Sequence, residues 1–164
     1  MRHHFTSVPL IASLVITGTS ACSKKDVPTP APASDTCSYA LDGMATKGTV
    51  KWTSFGAVGA NNVTEDALSL QMTSATTAGL PAQTVIVSFI RPIGAPVSAY
   101  QPVSVFVLNG PMANGRLYTS NLRCTVVATV GNGYSGTFAA TSNAGASYPI
   151  TSAVTNGVFT DAHQ

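Results

Sequence analysis

The sequence predicts an all-β protein, and three observations lead to that prediction. Short segments with alternating apolar and polar residues recur along residues 37–164, as they do in half-buried strands. No window shows the i, i+3, i+4, i+7 apolar spacing of an amphipathic helix. Val, Ile and Thr are abundant while glutamate occurs once, a balance that favours strands. We therefore expect eight or nine short antiparallel strands in a two-sheet β-sandwich, with a small β-barrel as the alternative.

The predicted strands follow one another between turn signals. Asp42-Gly43 follows the first strand, and Asn132-Gly133 has the composition of a hairpin turn. The glycines at 131, 133 and 136 match the pattern GxGxxG, but strand residues follow where a dinucleotide site needs a helix. The segment 84–90 is apolar on both faces except at Ser88, which indicates a central strand. In chain order, the predicted strands are 37–41, 50–53, 68–72, 84–90, 103–108, 122–130, 134–140 and 150–160.

The residues before the first strand predict export. Residues 1–21 combine a basic start, an uncharged apolar run and small residues before a cysteine, which is the order of a secretory signal peptide. The apolar run is much shorter than the ~20 residues that span a bilayer. Prolines at 28, 30 and 32 favour an extended polyproline II tether. We divide the chain into a signal peptide (1–21), a lipidated cysteine with its tether (22–36) and a single β domain (37–164).

The motif Ser20-Ala21-Cys22 resembles the lipobox of bacterial lipoproteins, in which the cysteine receives a diacylglycerol and becomes the mature N-terminus. Thr19 departs from that pattern, since the family usually has an aliphatic residue there. The resemblance implies a lipid anchor at Cys22, with the membrane as partner. The polar residues 23–26 resemble the signal that sends such proteins to the outer face of the outer membrane. The alternative is an ordinary signal peptide cleaved near Ala21, which leaves Cys22 free.

Two further cysteines predict a disulfide bond. With Cys22 lipidated, Cys37 and Cys124 remain as an even pair in an oxidising compartment. Cys124 alternates with Leu122 and Val126, so we expect its side chain on the core face of its strand. The alternative is a pair of buried thiols that lie too far apart to join.

The residue types that catalysis requires are sparse. His163 is the single histidine after the predicted signal peptide, and so near the end we expect it to fray rather than serve as a base. The carboxylates are scattered, with Asp35 in the tether and the neighbours Glu65 and Asp66 on opposite faces of a strand. We predict no catalytic, cofactor-binding or metal-ligating residue and no enzymatic activity. Only 9% of the residues are charged and the basic ones are dispersed, which argues against nucleic-acid binding.

The C-terminal half carries a second resemblance. Gly136-Thr137-Phe138, the segment 150–155 and Asn156-Gly157-Val158-Phe159 form an ending that, together with Asp42-Gly43 and Trp52 near the start, resembles an uncharacterised family of small Gram-negative surface lipoproteins. The resemblance spans most of the chain. It implies the layout of lipobox, proline-rich tether and β domain, and it implies no activity.

These observations lead to a functional prediction of an exported, lipid-anchored module that binds a glycan or protein ligand without catalysis. The aromatic side chains could stack on sugars, whereas core packing is the other fate open to them. The alternative function is a structural component of the cell envelope with no small-molecule ligand. The exposure of Trp52 distinguishes the two, because a binding module displays its aromatic residues and a structural one buries them.

Overall fold

The protein is described by a computed structural model, which covers residues 35–58, 64–74, 82–109, 115–145 and 148–164. Cys22, the predicted signal peptide and nearly all of the tether lie outside these residues, which belong to one compact unit of the chain. No helix in the described ranges has the length and apolar character needed to cross a membrane. The elements are β1 (Thr36–Leu41), β2 (Met44–Val58), β3 (Thr64–Ser74), β4 (Gln83–Pro92), a 3₁₀ helix (Val97–Ala99), β5 (Gln101–Asn109), β6 (Arg116–Tyr118), β7 (Ser120–Ala128), β8 (Tyr134–Ser142) and β9 (Ser152–Ala162).

All nine strands belong to one antiparallel sheet in the order β6-β5-β4-β3-β2-β1-β9-β8-β7. The sheet curls until β5 contacts β7 and β6 contacts β8, so it is nearly closed and barrel-like. The all-β prediction is therefore confirmed, in the form of the barrel alternative rather than two separate sheets. Consecutive strands pair with each other except β6 and β7, which lie at opposite edges of the sheet, and the last strand pairs with the first.

The core fills the inside of this barrel. Alternate residues of each strand point inward, as the two-residue period of the sequence predicts. In β4, for example, Val85, Val87 and Phe89 are buried while the residues between them face outward and are only partly covered. The large side chains that are almost fully buried are Val50, Leu68, Leu70, Met72, Val85, Val87, Phe89, Val105, Val107, Tyr118, Phe138 and Phe159.

Side chains join the two edge regions of the sheet. Arg116 of β6 donates from Nη2 to the carbonyl oxygen of Ser142 at 3.1 Å and to that of Ile150. Tyr118, also on β6, forms a 2.7 Å hydroxyl hydrogen bond with the buried Ser152 of β9. No ladder between β6 and β7 or between β5 and β7 occurs in the described residues. The chain runs from β6 into β7 through Thr119, so closure here depends on that short link together with hydrogen bonds made by side chains.

The structure corrects the predicted disulfide, because Cys37 and Cys124 are both free. Cys37 lies on β1 and Cys124 on β7, with β9 and β8 between them. At ~4.8 Å per strand, their Cα atoms lie roughly 14 Å apart along the sheet, while a disulfide tolerates about 7 Å. Cys124 does pack against the core beside Leu122, as predicted. Burial raises the pKa of each thiol to about 11, so both stay protonated at neutral pH.

Candidate functional site

A half-open cavity of about 610 Å³ lies at the end of the barrel that carries the β7–β8 turn. We call it the mouth cavity. Cavities of this size at the mouth of a barrel are typical places for small ligands. Its lining combines two aromatic rings with amide, hydroxyl and imidazole groups. The lining residues are Trp52, Val97, Ala128, Thr129, Gly131, Asn132, Gly133, Tyr134, His163 and Gln164.

The β7–β8 turn forms one wall of the cavity. Gly131 and Asn132 have positive φ values of 81° and 64°, which glycine and asparagine tolerate best. The turn is closed by the N–H of Thr129, which donates to the carbonyl oxygen of Gly133 at 2.8 Å. A Cβ on Gly133 would lie 2.6 Å from the carboxylate of Asp161, so only glycine leaves that side chain its place. The GxGxxG match is a hairpin turn, as predicted, and no local pattern of residues indicates that this turn lines a cavity.

Two aromatic residues form the apolar part of the lining. The rings of Trp52 on β2 and Tyr134 on β8 meet edge to face, with centroids 5.2 Å apart and an interplanar angle of 88°. Trp52 is half-buried and also packs against the core. Its indole Nε1 is buried without a hydrogen-bond partner in the described part of the chain. Trp52 therefore combines the two roles that the sequence leaves open, because it packs against the core and also lines the cavity.

His163 is held firmly, and the expectation that it frays is wrong. Its backbone N–H donates to Oδ1 of Asp35 at 2.8 Å, and its carbonyl oxygen accepts from the N–H of Trp52 at 2.9 Å. Its ring Nδ1 lies 3.2 Å from the same Asp35 oxygen. The backbone hydrogen bond from His163 is the main cause that lowers the pKa of Asp35. Asp35, which the sequence placed in the tether, belongs to the folded site.

Asp161 lies on the other side of the imidazole. Its Oδ1 accepts a hydrogen bond from the hydroxyl of Thr129 and lies 3.9 Å from Nε2 of His163. The register of β8 and β9 shifts next to it, and its φ is +48°. Its backbone N–H donates to Oγ of Ser135 at 2.7 Å, which helps to hold this conformation. Such left-handed residues outside glycine are uncommon and often occur at functional sites.

Other residues considered from the sequence do not join this site. Asp66 forms an ion pair with Arg91 at 3.3 Å, and Arg91 lies over the ring of Tyr100 at 4.4 Å. The free thiols of Cys37 and Cys124 line no part of the cavity. Within the described ranges, no group of three or more His, Cys, Asp and Glu side chains is placed to hold a metal ion. The site is therefore a cavity with aromatic, amide and imidazole groups, which suits recognition of a small polar molecule.

In comparisons with known proteins, no family model, no curated protein and no solved structure matches the chain. The resemblance to small surface lipoproteins therefore stays a prediction, and the function must be argued from the cavity itself.

Proposed function

We propose that this protein is an exported, lipid-anchored binding module without catalytic activity, and that it binds a saccharide in the mouth cavity. The observation that carries the proposal is the meeting of an aromatic pair with hydrogen-bonding side chains in one half-open cavity. The anchor at Cys22 and the outer-membrane location are part of the proposal and rest on the N-terminal motif.

The chemistry of the lining supports a sugar as ligand. A sugar ring presents C–H groups on its faces and hydroxyl groups around its rim, so it needs apolar and polar contacts together. Trp52 and Tyr134 supply the first kind of contact. Asn132, His163 and Gln164 supply planar groups that donate or accept hydrogen bonds. The unpartnered Nε1 of Trp52 would gain a hydrogen bond if the ring shifts to meet a ligand oxygen.

Trp52 is the single tryptophan, so its fluorescence reports on the cavity directly. The experiment is a glycan array probed with the full chain, followed by titration of each positive glycan while tryptophan emission is recorded. We expect saturable binding together with a change in emission. Binding without any change at Trp52 would contradict the proposed location of the ligand.

Two asparagines provide a matched pair of variants. Asn132 and Asn156 both have positive φ, 64° and 52°, so glycine replaces either one without backbone strain. Only Asn132 lines the mouth cavity. We expect Asn132→Gly to weaken saccharide binding about tenfold, the loss of one good hydrogen bond, and Asn156→Gly to leave it unchanged. Equal effects of the two variants would refute the assignment of the cavity.

One observation favours the alternative of an envelope component without a ligand. Most of the other aromatic side chains that the structure describes are buried, including Tyr39, Tyr100 and Tyr118. The outer surface carries hydroxyl pairs such as Thr125 and Thr137, whose oxygens lie 2.8 Å apart. This alternative would be supported over a binding module if no glycan on the array binds the protein and no saccharide changes the tryptophan emission.

A further inference from the structure

The protons on His163 follow from its two carboxylate neighbours. Asp35 has a lowered pKa and is therefore ionised at neutral pH, and an ionised carboxylate can only accept hydrogen bonds. Nδ1 of His163, 3.2 Å away, must therefore carry the hydrogen of that bond. The other ring nitrogen, Nε2, is turned toward Oδ1 of Asp161 and toward the glycines of the β7–β8 turn.

This arrangement leaves two hydrogen-bond acceptors facing each other when the imidazole is neutral. Nε2 then presents a lone pair to a carboxylate oxygen 3.9 Å away, a distance too long for a direct hydrogen bond. A proton on Nε2 relieves the repulsion by forming an ion pair with Asp161. A donor group from a ligand relieves it equally well, because a nitrogen about 2.8 Å from each atom fits across a gap of this width.

The charged groups around the imidazole favour a cationic donor. Asp35 and Asp161 flank the ring on both sides. Lys51, which is exposed on β2, is the cation that acts on Asp35 from the neighbouring strand. The hydroxyl of Thr129 already donates to Asp161, so Thr129 cannot fill the gap with the same proton. Asp161 does not itself line the mouth cavity, but it contacts Thr129 and His163, which do. The aromatic rings of that lining attract cations through their faces.

We infer that the mouth cavity selects a saccharide bearing a primary amine, whose ammonium group sits between Nε2 of His163 and Oδ1 of Asp161. The inference rests on the proposed function and names the class of sugar. The ammonium donates one N–H to the lone pair of Nε2 and one to the carboxylate. Nε2 of His163 accepts this hydrogen bond, while Nδ1 donates to Asp35.

The experiment is calorimetry with the full chain and two probes of equal length and linkage, a glucosamine oligosaccharide and its glucose counterpart. Near neutral pH, we expect the amine probe to bind at least about tenfold more tightly, as a charged hydrogen bond contributes.

Two variants separate the site from general charge attraction. Asp161→Asn removes the charge, keeps an oxygen for Thr129 and tolerates the positive φ. We expect it to abolish the preference for the amine probe over the glucose probe. Glu65→Gln removes a carboxylate on β3 that is not among the ion-pair partners of His163 in the described residues, and we expect no change from it.

The outcomes distinguish this inference from the proposed function. If both probes bind equally, the amine assignment is wrong and saccharide binding stands. A preference that survives Asp161→Asn also overturns the assignment, because the ammonium would then lie elsewhere. If no saccharide binds at all, the proposed function fails and this inference fails with it.

Discussion

Replacement of Arg116 by methionine should open the barrel where its edge regions meet. The guanidinium donates to the carbonyl oxygens of Ser142 and Ile150 and lies 4.8 Å from the centre of the Tyr148 ring. Methionine keeps an apolar stem of similar length, so the change removes the polar contacts and spares most of the packing. A hydrogen bond to a charged group contributes ~1.5–3 kcal/mol, and a cation–π contact ~0.5–1 kcal/mol.

One of the two hydrogen bonds is exposed to solvent, so the full sum is not reached. We expect a loss of about 2–3 kcal/mol in the free energy of unfolding, or a fall in Tm of roughly 6–15 °C for a domain of this size. Thermal denaturation followed by circular dichroism measures it. Arg123→Met is the control, because Arg123 is exposed on β7 and no hydrogen bond or ion pair of its side chain occurs in the described residues. Equal stability of the two variants would refute closure by Arg116.

Three further predictions concern stability and reactivity. Gly48→Ala should destabilise the domain strongly, because the added Cβ would lie 2.0 Å from a backbone oxygen of β3. Gly56→Ala should be tolerated, because its Cβ would meet no atom within 4 Å. Chemical denaturation compares the stability of the two variants. Cys37 and Cys124 should resist alkylation in the native protein and react once it unfolds, so rapid labelling of the native protein would contradict their burial. The free energy of unfolding should fall above pH 9, because the thiols ionise at lower pH in the unfolded chain than in the folded one. Because the pKa of Asp35 is lowered in the folded protein, its contribution to stability is complete above the ordinary pKa of 3.8 and is lost as the pH falls through the folded-state pKa. Asp35→Asn should therefore flatten the dependence of stability on acidic pH. An unchanged dependence would show that the contact between Asp35 and His163 contributes nothing.

The sequence alone determined where most of the strands lie and which side of them faces the core. Alternation is a local property, because successive side chains of a strand point to opposite faces whatever the strand pairs with. Val85, Val87 and Phe89 illustrate this, since their spacing predicts the burial that the structure has. The three-residue strand β6 escaped detection because a segment so short contains no repeat. The β7–β8 turn was likewise readable from Asn132-Gly133, which depends only on local backbone conformation.

Only the tertiary structure decided how the strands are ordered, and two errors follow from that. Cys37 and Cys124 occupy positions on their strands from which side chains pack against the core. The strand order puts two strands between them, so they lie too far apart to form the predicted disulfide. Asp35 and His163 are 128 residues apart in the sequence, and the sequence therefore predicts that Asp35 belongs to the tether and that His163 belongs to a frayed end. They meet because β1 pairs with β9, which places the start of β1 and the end of β9 at the same rim of the barrel. The pairing of β1 with β9 requires the ends of a long segment to come together and the whole sheet to curl. A local pattern of residues therefore cannot predict it.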